Sequence, residues 1–240
     1  IGGDTPSRIY QRISQLAQAV GISIELHCHN DLGLAVANSL AGAQAAVEAG
    51  VDAYINATVN GVGERAGQAD LLSCILACNF SFEFAGKLEL GDSLRLEVAR
   101  RLANYVANAF NLSLPINQPG VGSNVFAHES GIHADGTLKD PRNYEPYDYD
   151  LLGPSETPSS PTGRVITTGE YGGISGLRYV YERLGIYFDS REEARDILQL
   201  VQAANAHTHM PLIDDELRFI AHHPEEVRLL LTMSLQPARS

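Results

Sequence analysis

Polar and apolar side chains alternate along residues 22–29. Because successive side chains of a strand point to opposite faces, apolar Leu26 and Cys28 share one face, and His27 and His29 share the other. The first face is apolar along its whole length, and the second is polar and ionisable. This pattern predicts a parallel strand whose outer face packs on helices, as in an α/β barrel.

Helical and alternating patterns follow one another around this strand. A helix that Thr5 can cap and Gly21 can end precedes it, and an alanine-rich helix over 34–49 follows it. A second alternating stretch covers 53–60, and a further helix is predicted over 64–78. This order predicts an α/β fold, namely the C-terminal part of a TIM-type (β/α)8 barrel followed by a mainly helical subdomain.

The alternation of strands and helices stops after Phe84. A helix is predicted over 94–110, with its apolar stripe as the buried side. Further helices are predicted over 178–184, 192–205 and 214–221, after an exposed Pro- and Ser-rich linker at 153–163. Three domains follow from these breaks: 1–86, the last strands and helices of an incomplete barrel; 87–152, a helical subdomain; and 153–240, a flexible linker with a C-terminal helical region.

Composition excludes several classes of partner. The 240 residues carry a formal net charge of −12, so neither nucleic acid nor an anionic membrane surface is expected as a partner. The three cysteines have no regular spacing and indicate a reducing compartment rather than a disulfide framework. No apolar run is long enough to span a bilayer. The expected location is cytoplasmic.

The two strand histidines are candidates for metal ligands. Residues two apart on a strand are separated by roughly 6.5–7 Å, so the rings of His27 and His29 can converge on one ion, while Cys28 points away. The alternative is a pair of core histidines that are satisfied by hydrogen bonds. Asn30 and Asp31, which follow directly, favour the metal.

This His-x-His-Asn-Asp element resembles that of the homocitrate synthases, isopropylmalate synthases and related lyases. The resemblance implies that His27 and His29 hold a divalent ion (Mg, Mn, Zn or Fe), with Asn30 and Asp31 at the same site. The family carries this element on a late barrel strand.

A glycine-rich loop, Asn60-Gly-Val-Gly-Glu64-Arg65-Ala-Gly67, follows the second alternating stretch. On its own it can be read as a tight turn with a local ion pair. Beside the His-x-His element it resembles a second signature of the same family, although Gln68 stands where the family usually has Asn. The predicted substrate-binding or site-shaping residues are therefore Asn30, Asp31, Thr58, Asn60, Glu64 and Arg65.

A third segment, residues 125–145, contains the sequence His128-Glu129-Ser-Gly-Ile-His133. It resembles the family segment that follows the barrel and reaches into the active site of the partner subunit. The resemblance implies that His133 acts in acid/base chemistry on the acetyl group and that Tyr144 assists it. For His128 and Glu129 we expect structural hydrogen bonding.

The activity that the resemblance implies is a metal-dependent Claisen condensation of acetyl-CoA with a 2-oxoacid. The lack of room for a regulatory domain after the helical region favours a homocitrate synthase of the nitrogen-fixation type, which uses 2-oxoglutarate. The alternatives are a 2-isopropylmalate synthase, which uses 2-oxoisovalerate, and a non-catalytic interaction subunit or truncated remnant.

The resemblance covers only the back portion of the family pattern. We therefore expect a third metal ligand, an arginine that grips the 2-oxoacid and a catalytic glutamate to lie on sequence that this chain does not contain. The lone chain is expected to be inactive, and to act either as a homodimer or with a chain that supplies the N-terminal barrel half.

Overall fold

The structure, a computed structural model, describes residues 2–91, 94–153, 164–208 and 212–234. The chain divides into two compact units: Ile1–Val125 with Pro146–Thr162, and Phe126–Glu145 with Gly163–Ser240. The predicted linker at 153–163 lies, apart from its first residue, outside the described residues. The three-domain division stays a prediction.

The first unit contains two strands and four α-helices among its described residues. In chain order these elements are α1 (Pro6–Val20), β1 (Ile24–His27), α2 (Ala35–Glu48), β2 (Ala53–Asn56), α3 (Leu71–Phe80) and α4 (Ala99–Ala109). Helix α1 begins and ends as predicted, with Pro6 in its first turn and Gly21 in the left-handed conformation after its last turn.

Strands β1 and β2 are parallel neighbours, with Ile24 opposite Ala53 and His27 opposite Asn56. Along β1 burial alternates as the pattern predicts, since Ile24 and Leu26 are buried and His27 is exposed. The buried side packs on α1 and α2 in a small core that includes Ala17, Ala43 and Ala46. The polar face of β1 is thus left open among the described residues.

Three predicted elements in this unit are too long. Strand β1 covers Ile24–His27 rather than residues 22–29, and Ile22 is exposed. Strand β2 ends at Asn56 and does not reach Asn60, which is left-handed (φ 59°) inside a short 3₁₀ turn. Helix α3 begins at Leu71 rather than Glu64, because Arg65 (φ 59°) and Gly67 (φ 86°) cannot be helical. Asp70 caps the helix, and its side chain accepts a hydrogen bond from the Ser73 N–H at 2.9 Å.

The predicted buried face of α4 is also wrong. Leu102 and Tyr105 of the apolar stripe are exposed, whereas Arg100, Ala103 and Ala107 are buried. The guanidinium of Arg100 donates a hydrogen bond to the carbonyl of Gly153, which satisfies a charge that burial would otherwise penalise. Small residues and one bonded arginine therefore form the packed side.

The second unit is mainly helical. Its elements are β3 (Ala127–His128), α5 (Gly131–Lys139), β4 (Val165–Ile166), α6 (Ile174–Arg183), α7 (Arg191–Thr208), α8 (Asp214–His222) and α9 (Pro224–Ser234). Helices α6 to α9 share one core, in which Leu177 and Val201 are completely buried. Tyr181 is also buried there, and its hydroxyl donates a hydrogen bond to the Leu217 carbonyl at 2.9 Å.

Helices α6, α7 and α8 were expected from the periodicity, whereas α5 and α9 were not. The described residues are rich in helix and contain two small parallel sheets, β1 with β2 and β3 with β4. This arrangement is consistent with a partial barrel and a helical part. Among the described residues, no helix combines the length and apolar character needed to cross a bilayer.

Candidate metal and catalytic site

His27 and His29 lie together at the carboxyl end of β1. Their ring centroids are 5.0 Å apart and the rings are nearly perpendicular. The Nδ1 atom of His29 is buried and has no hydrogen-bond partner within the described residues. A buried imidazole nitrogen without a partner is costly in an ordinary core, and a neutral imidazole nitrogen is able to bind a metal ion.

The pair fits two ligands of a metal site and does not form a complete one. Within the part of the chain that the structure describes, no three His, Cys, Asp or Glu side chains group so as to hold a metal ion. Catalytic zinc sites usually have three protein ligands. Further ligands must therefore come from elsewhere if these histidines bind a metal.

Cys28 is excluded as a ligand by its direction, as the alternation predicts. It packs against a cluster of buried residues that includes Ala35, Ala69 and Cys74. Burial raises the pKa of the Cys74 thiol to about 12, so this side chain is an uncharged part of the core.

The two residues after His29 have defined structural contacts. The side-chain oxygen of Asn30 accepts a hydrogen bond from the Ala35 N–H at 3.1 Å, at the start of α2. The Asp31 carboxylate accepts two hydrogen bonds from the guanidinium of Arg65, at 2.7 and 3.0 Å. Gly2 is close to Asp31 and to His29, since a Cβ there would lie 2.7 Å from Asp31 Oδ2 and from the His29 carbonyl oxygen.

The glycine-rich loop is tied to the strand that carries the histidines. The Asn30 N–H donates to the Gly67 carbonyl at 2.9 Å, and the Ala69 N–H donates to the Cys28 carbonyl at 3.3 Å. Gly67 has a positive φ and packs so closely that a Cβ would overlap the carbonyl oxygen of Gly61. The loop is therefore held against the histidine strand by its backbone.

The other three predicted site-shaping residues differ in their surroundings. The Thr58 hydroxyl is buried without a hydrogen-bond partner among the described residues. The Asn60 amide donates to the Ala103 carbonyl at 2.9 Å, and Glu64 is exposed. Their roles in a site stay a prediction.

The Asp31–Arg65 pair makes a pH-dependent contribution to stability. Hydrogen bonding to Arg65 lowers the pKa of Asp31 from 3.8 to about 2. Because the folded-state pKa is the lower one, the contribution is present above the ordinary value and is lost as the pH falls from 3.8 towards 2. We expect Arg65→Gln to return the pKa of Asp31 towards 3.8, as measured by NMR titration of its carboxyl carbon.

Arg142→Gln is the control for this titration, because Arg142 forms the same kind of bidentate pair with half-buried Asp140. It should leave Asp31 unchanged. An unshifted Asp31 in the Arg65→Gln protein would show that the guanidinium is not the cause.

In the second unit the rings of His133 and Tyr144 are in contact, with centroids 4.4 Å apart. Tyr144 is 39% exposed and His133 is also exposed. The structure thus brings together the two residues whose catalytic roles were inferred from the resemblance. Glu129 accepts a hydrogen bond from the Tyr171 N–H at 3.3 Å, which agrees with the structural role expected for it.

Sequence reasoning missed the buried charge beside this pair. The Glu145 carboxylate binds the Arg164 guanidinium and the ring of His128. Glu145 follows Tyr144 in the third segment, so its position was visible in the sequence. No local signal pointed to Arg164, because it is 19 residues away from Glu145.

Two families match successive parts of the chain. Residues 1–106 match the family described as HMGL-like, and residues 121–209 match the family described as homocitrate synthase post-HMGL domain-like. The first match contains the His27–His29 pair, and the second contains His133 and Tyr144. The order of the two regions agrees with the predicted order of a barrel part and a helical part.

Several synthases are similar to this chain over most of its length. The citrate (Re)-synthase of Dehalococcoides mccartyi is 49% identical over 98% of this chain and 57% of its own length. The 2-isopropylmalate synthase 2 of Caldanaerobacter subterraneus is 37% identical, over 92% of this chain and 52% of that protein. The 2-isopropylmalate synthase of Pyrococcus furiosus is 38% identical, over 90% and 41%.

The chain spans about half the length of the curated relatives it matches. Among solved structures, a Rhizobium etli pyruvate carboxylase covers 97% of this chain, and the chain covers 28% of it, at 17% identity and a TM-score of 0.28. That likeness is too weak to support an argument.

Proposed function

We propose that this chain is the C-terminal part of a synthase that condenses acetyl-CoA with a 2-oxoacid. The observation that carries the proposal is the His27–His29 pair, whose buried Nδ1 atom on His29 has no partner among the described residues. The HMGL-like match includes this pair, and the related synthases support the reaction class.

In the proposed reaction His27 and His29 supply two ligands to a divalent ion. When bound, such an ion polarises the ketone of the 2-oxoacid and neutralises the charge that develops on its oxygen. Asn30 and the Asp31–Arg65 pair keep the loops beside the histidines in place through the contacts described above.

His133 is proposed to move the proton at the acetyl methyl group, with Tyr144 assisting. Histidine suits this role because it exchanges protons near neutral pH. Loss of the methyl proton allows a new carbon–carbon bond to form between the methyl carbon and the ketone carbon, and the ketone oxygen becomes a hydroxyl. Water then cleaves the thioester, which releases CoA as the free thiol.

The proposal also names the 2-oxoacid that accepts the acetyl group. The relative with 49% identity is named a citrate synthase, so oxaloacetate, whose condensation with acetyl-CoA gives citrate, is the acceptor we place first. A homocitrate synthase of the nitrogen-fixation type would use 2-oxoglutarate instead, which is longer than oxaloacetate by one methylene group. The isopropylmalate reading is supported by relatives with 37% and 38% identity.

One assay tests the reaction, and activity with an acceptor other than oxaloacetate would be this chain's own contribution, because the added segment comes from a citrate synthase. The chain is combined with the N-terminal segment of the Dehalococcoides relative that it does not match, and free CoA thiol is followed with acetyl-CoA, Mn²⁺ and each of the three 2-oxoacids. The positive control is the same segment combined with the relative's own C-terminal part. We expect thiol release with oxaloacetate, and none from the lone chain.

The other outcomes of this assay would change the acceptor or overturn the proposed reaction. Release only with 2-oxoglutarate or only with 2-oxoisovalerate would assign the homocitrate or the isopropylmalate reaction instead. No release with any acceptor, while the positive control is active, would overturn the condensation and favour a non-catalytic interaction subunit.

The expected homodimer and cytoplasmic location belong to the same proposal.

A further inference from the structure

A buried carboxylate lies directly beside the proposed catalytic pair in the chain. Glu145 is 6% exposed, and its two carboxylate oxygens each accept a hydrogen bond of 2.7 Å from the Arg164 guanidinium. His128 Nε2 lies 3.0 Å from the first of these oxygens.

The fold of the second unit brings these three side chains together. Strands β3 and β4 are parallel, and His128 at the end of β3 is opposite Ile166. Arg164 immediately precedes β4, so the strand pairing places it near His128. Glu145 enters from the turn after α5, where its N–H donates to the Pro141 carbonyl at 2.9 Å.

The same turn holds Tyr144 in position. Its N–H also donates to the Pro141 carbonyl, at 3.0 Å. Its ring lies against Gly136 of α5 so closely that a Cβ at Gly136 would overlap the ring, and it contacts His133 from the same helix. Any shift of the Glu145 backbone is therefore transmitted to the ring of Tyr144 and to its contact with His133.

We propose that Glu145, clamped by Arg164 and His128, is a positioning residue for the Tyr144–His133 ring pair. This inference rests on the proposed function for its catalytic consequence. The outer side of the ring pair is exposed, and the buried Glu145–Arg164–His128 cluster anchors the turn that carries Tyr144.

A general contribution to stability explains the cluster of Glu145, Arg164 and His128 less well than a positioning role. Burying an ion pair costs desolvation energy that its attraction often only balances, so it contributes little net stability compared with an apolar replacement. A bidentate arginine contact fixes direction as well as distance, which is what a positioning role requires. The two accounts predict different results for conservative substitutions.

The first experiment measures the ring contact without activity. In the full chain, the NMR chemical shift of a carbon-bound proton on the His133 ring depends on the neighbouring Tyr144 ring. The Tyr144→Leu protein serves as a reference and gives this chemical shift in the absence of the tyrosine ring. We expect Glu145→Gln to move the His133 shift towards the Tyr144→Leu value. Arg164→Lys keeps the positive charge but cannot form both hydrogen bonds to the carboxylate, so it should give an intermediate shift.

Arg142→Gln is the matched control. It removes an arginine that also forms a bidentate contact, with Asp140 in the same turn, but the Arg142 side chain is exposed whereas Arg164 is largely buried. The His133 shift should stay at the wild-type value. Circular dichroism checks that each variant is folded, and Arg164→Lys replaces Glu145→Gln in the comparison if the latter unfolds.

The second experiment measures kinetics in the reconstituted enzyme. We expect Glu145→Gln to lower kcat by about 100-fold, since a displacement of about 1 Å can cost that much, with KM little changed. The inference would be overturned if Glu145→Gln and Arg164→Lys both left the His133 shift and kcat unchanged. If the wild type condenses no 2-oxoacid, the proposed function fails, and the NMR shifts still decide whether the clamp positions the rings.

Discussion

The His29→Ala protein should lose its affinity for divalent metal by more than about 100-fold, because changes outside the first ligand shell alone cost about 10–100-fold. The reason is local: the buried Nδ1 of His29 has no hydrogen-bond partner among the described residues, and the His27 ring 5.0 Å away is the other candidate ligand. Isothermal titration of the reconstituted enzyme with Mn²⁺ or Zn²⁺ measures this loss. His27→Ala should behave in the same way.

Cys28→Ala is the control for this titration. Cys28 lies between the two histidines in sequence but packs on the opposite face, in the cluster with Ala35 and Cys74. We expect its metal affinity to stay near that of the wild type while its thermal stability falls slightly, because a small, partly buried group is removed. Equal losses of affinity in Cys28→Ala and His29→Ala would mean that folding, and not ligation, explains the effect.

The His133→Ala protein should show a kcat lower by about 100- to 10,000-fold, the range that general acid/base catalysis contributes. Its KM for acetyl-CoA and for the 2-oxoacid should change little, because the lost interaction acts on the proton in transfer. Steady-state release of CoA thiol by the reconstituted enzyme measures both constants. Tyr144→Phe should cause a smaller fall in kcat, since it keeps the ring contact and loses only the hydroxyl.

His207→Ala provides the comparison for His133→Ala. His207 is also exposed and lies near the end of α7, outside the residues proposed for chemistry. It should leave kcat unchanged. A His133→Ala enzyme with wild-type kcat would remove His133 from the mechanism, whatever the metal titrations show.

Local patterns predicted much of the first unit because its elements are short and strongly patterned. The alternation along residues 22–29 correctly separated buried Leu26 from exposed His27, since strand geometry alone sets that parity. Helix α1 was predicted with correct ends because Pro6 and Gly21 act locally. The histidine pair could be named as a candidate site for the same reason.

Predictions failed where long-range packing overrides the local pattern. The apolar stripe of α4 predicted that Leu102 would be buried, but the structure buries Arg100, whose charge is satisfied by the distant Gly153 carbonyl. The start of α3 was placed too early because Arg65 adopts a left-handed conformation. In that position it forms the ion pair with Asp31, 34 residues earlier in the chain.

Local sequence patterns were enough to predict the parity of the histidine strand, the ends of its neighbouring helix and the resemblance that named His133 and Tyr144. These follow from periods of two or four residues and from motifs that are continuous in the chain. The burial of Glu145 against Arg164 and His128, in contrast, is visible only in the folded chain. The physical reason is that the clamp depends on the pairing of β3 with β4, which joins segments separated by nearly 40 residues, and no local pattern encodes that contact.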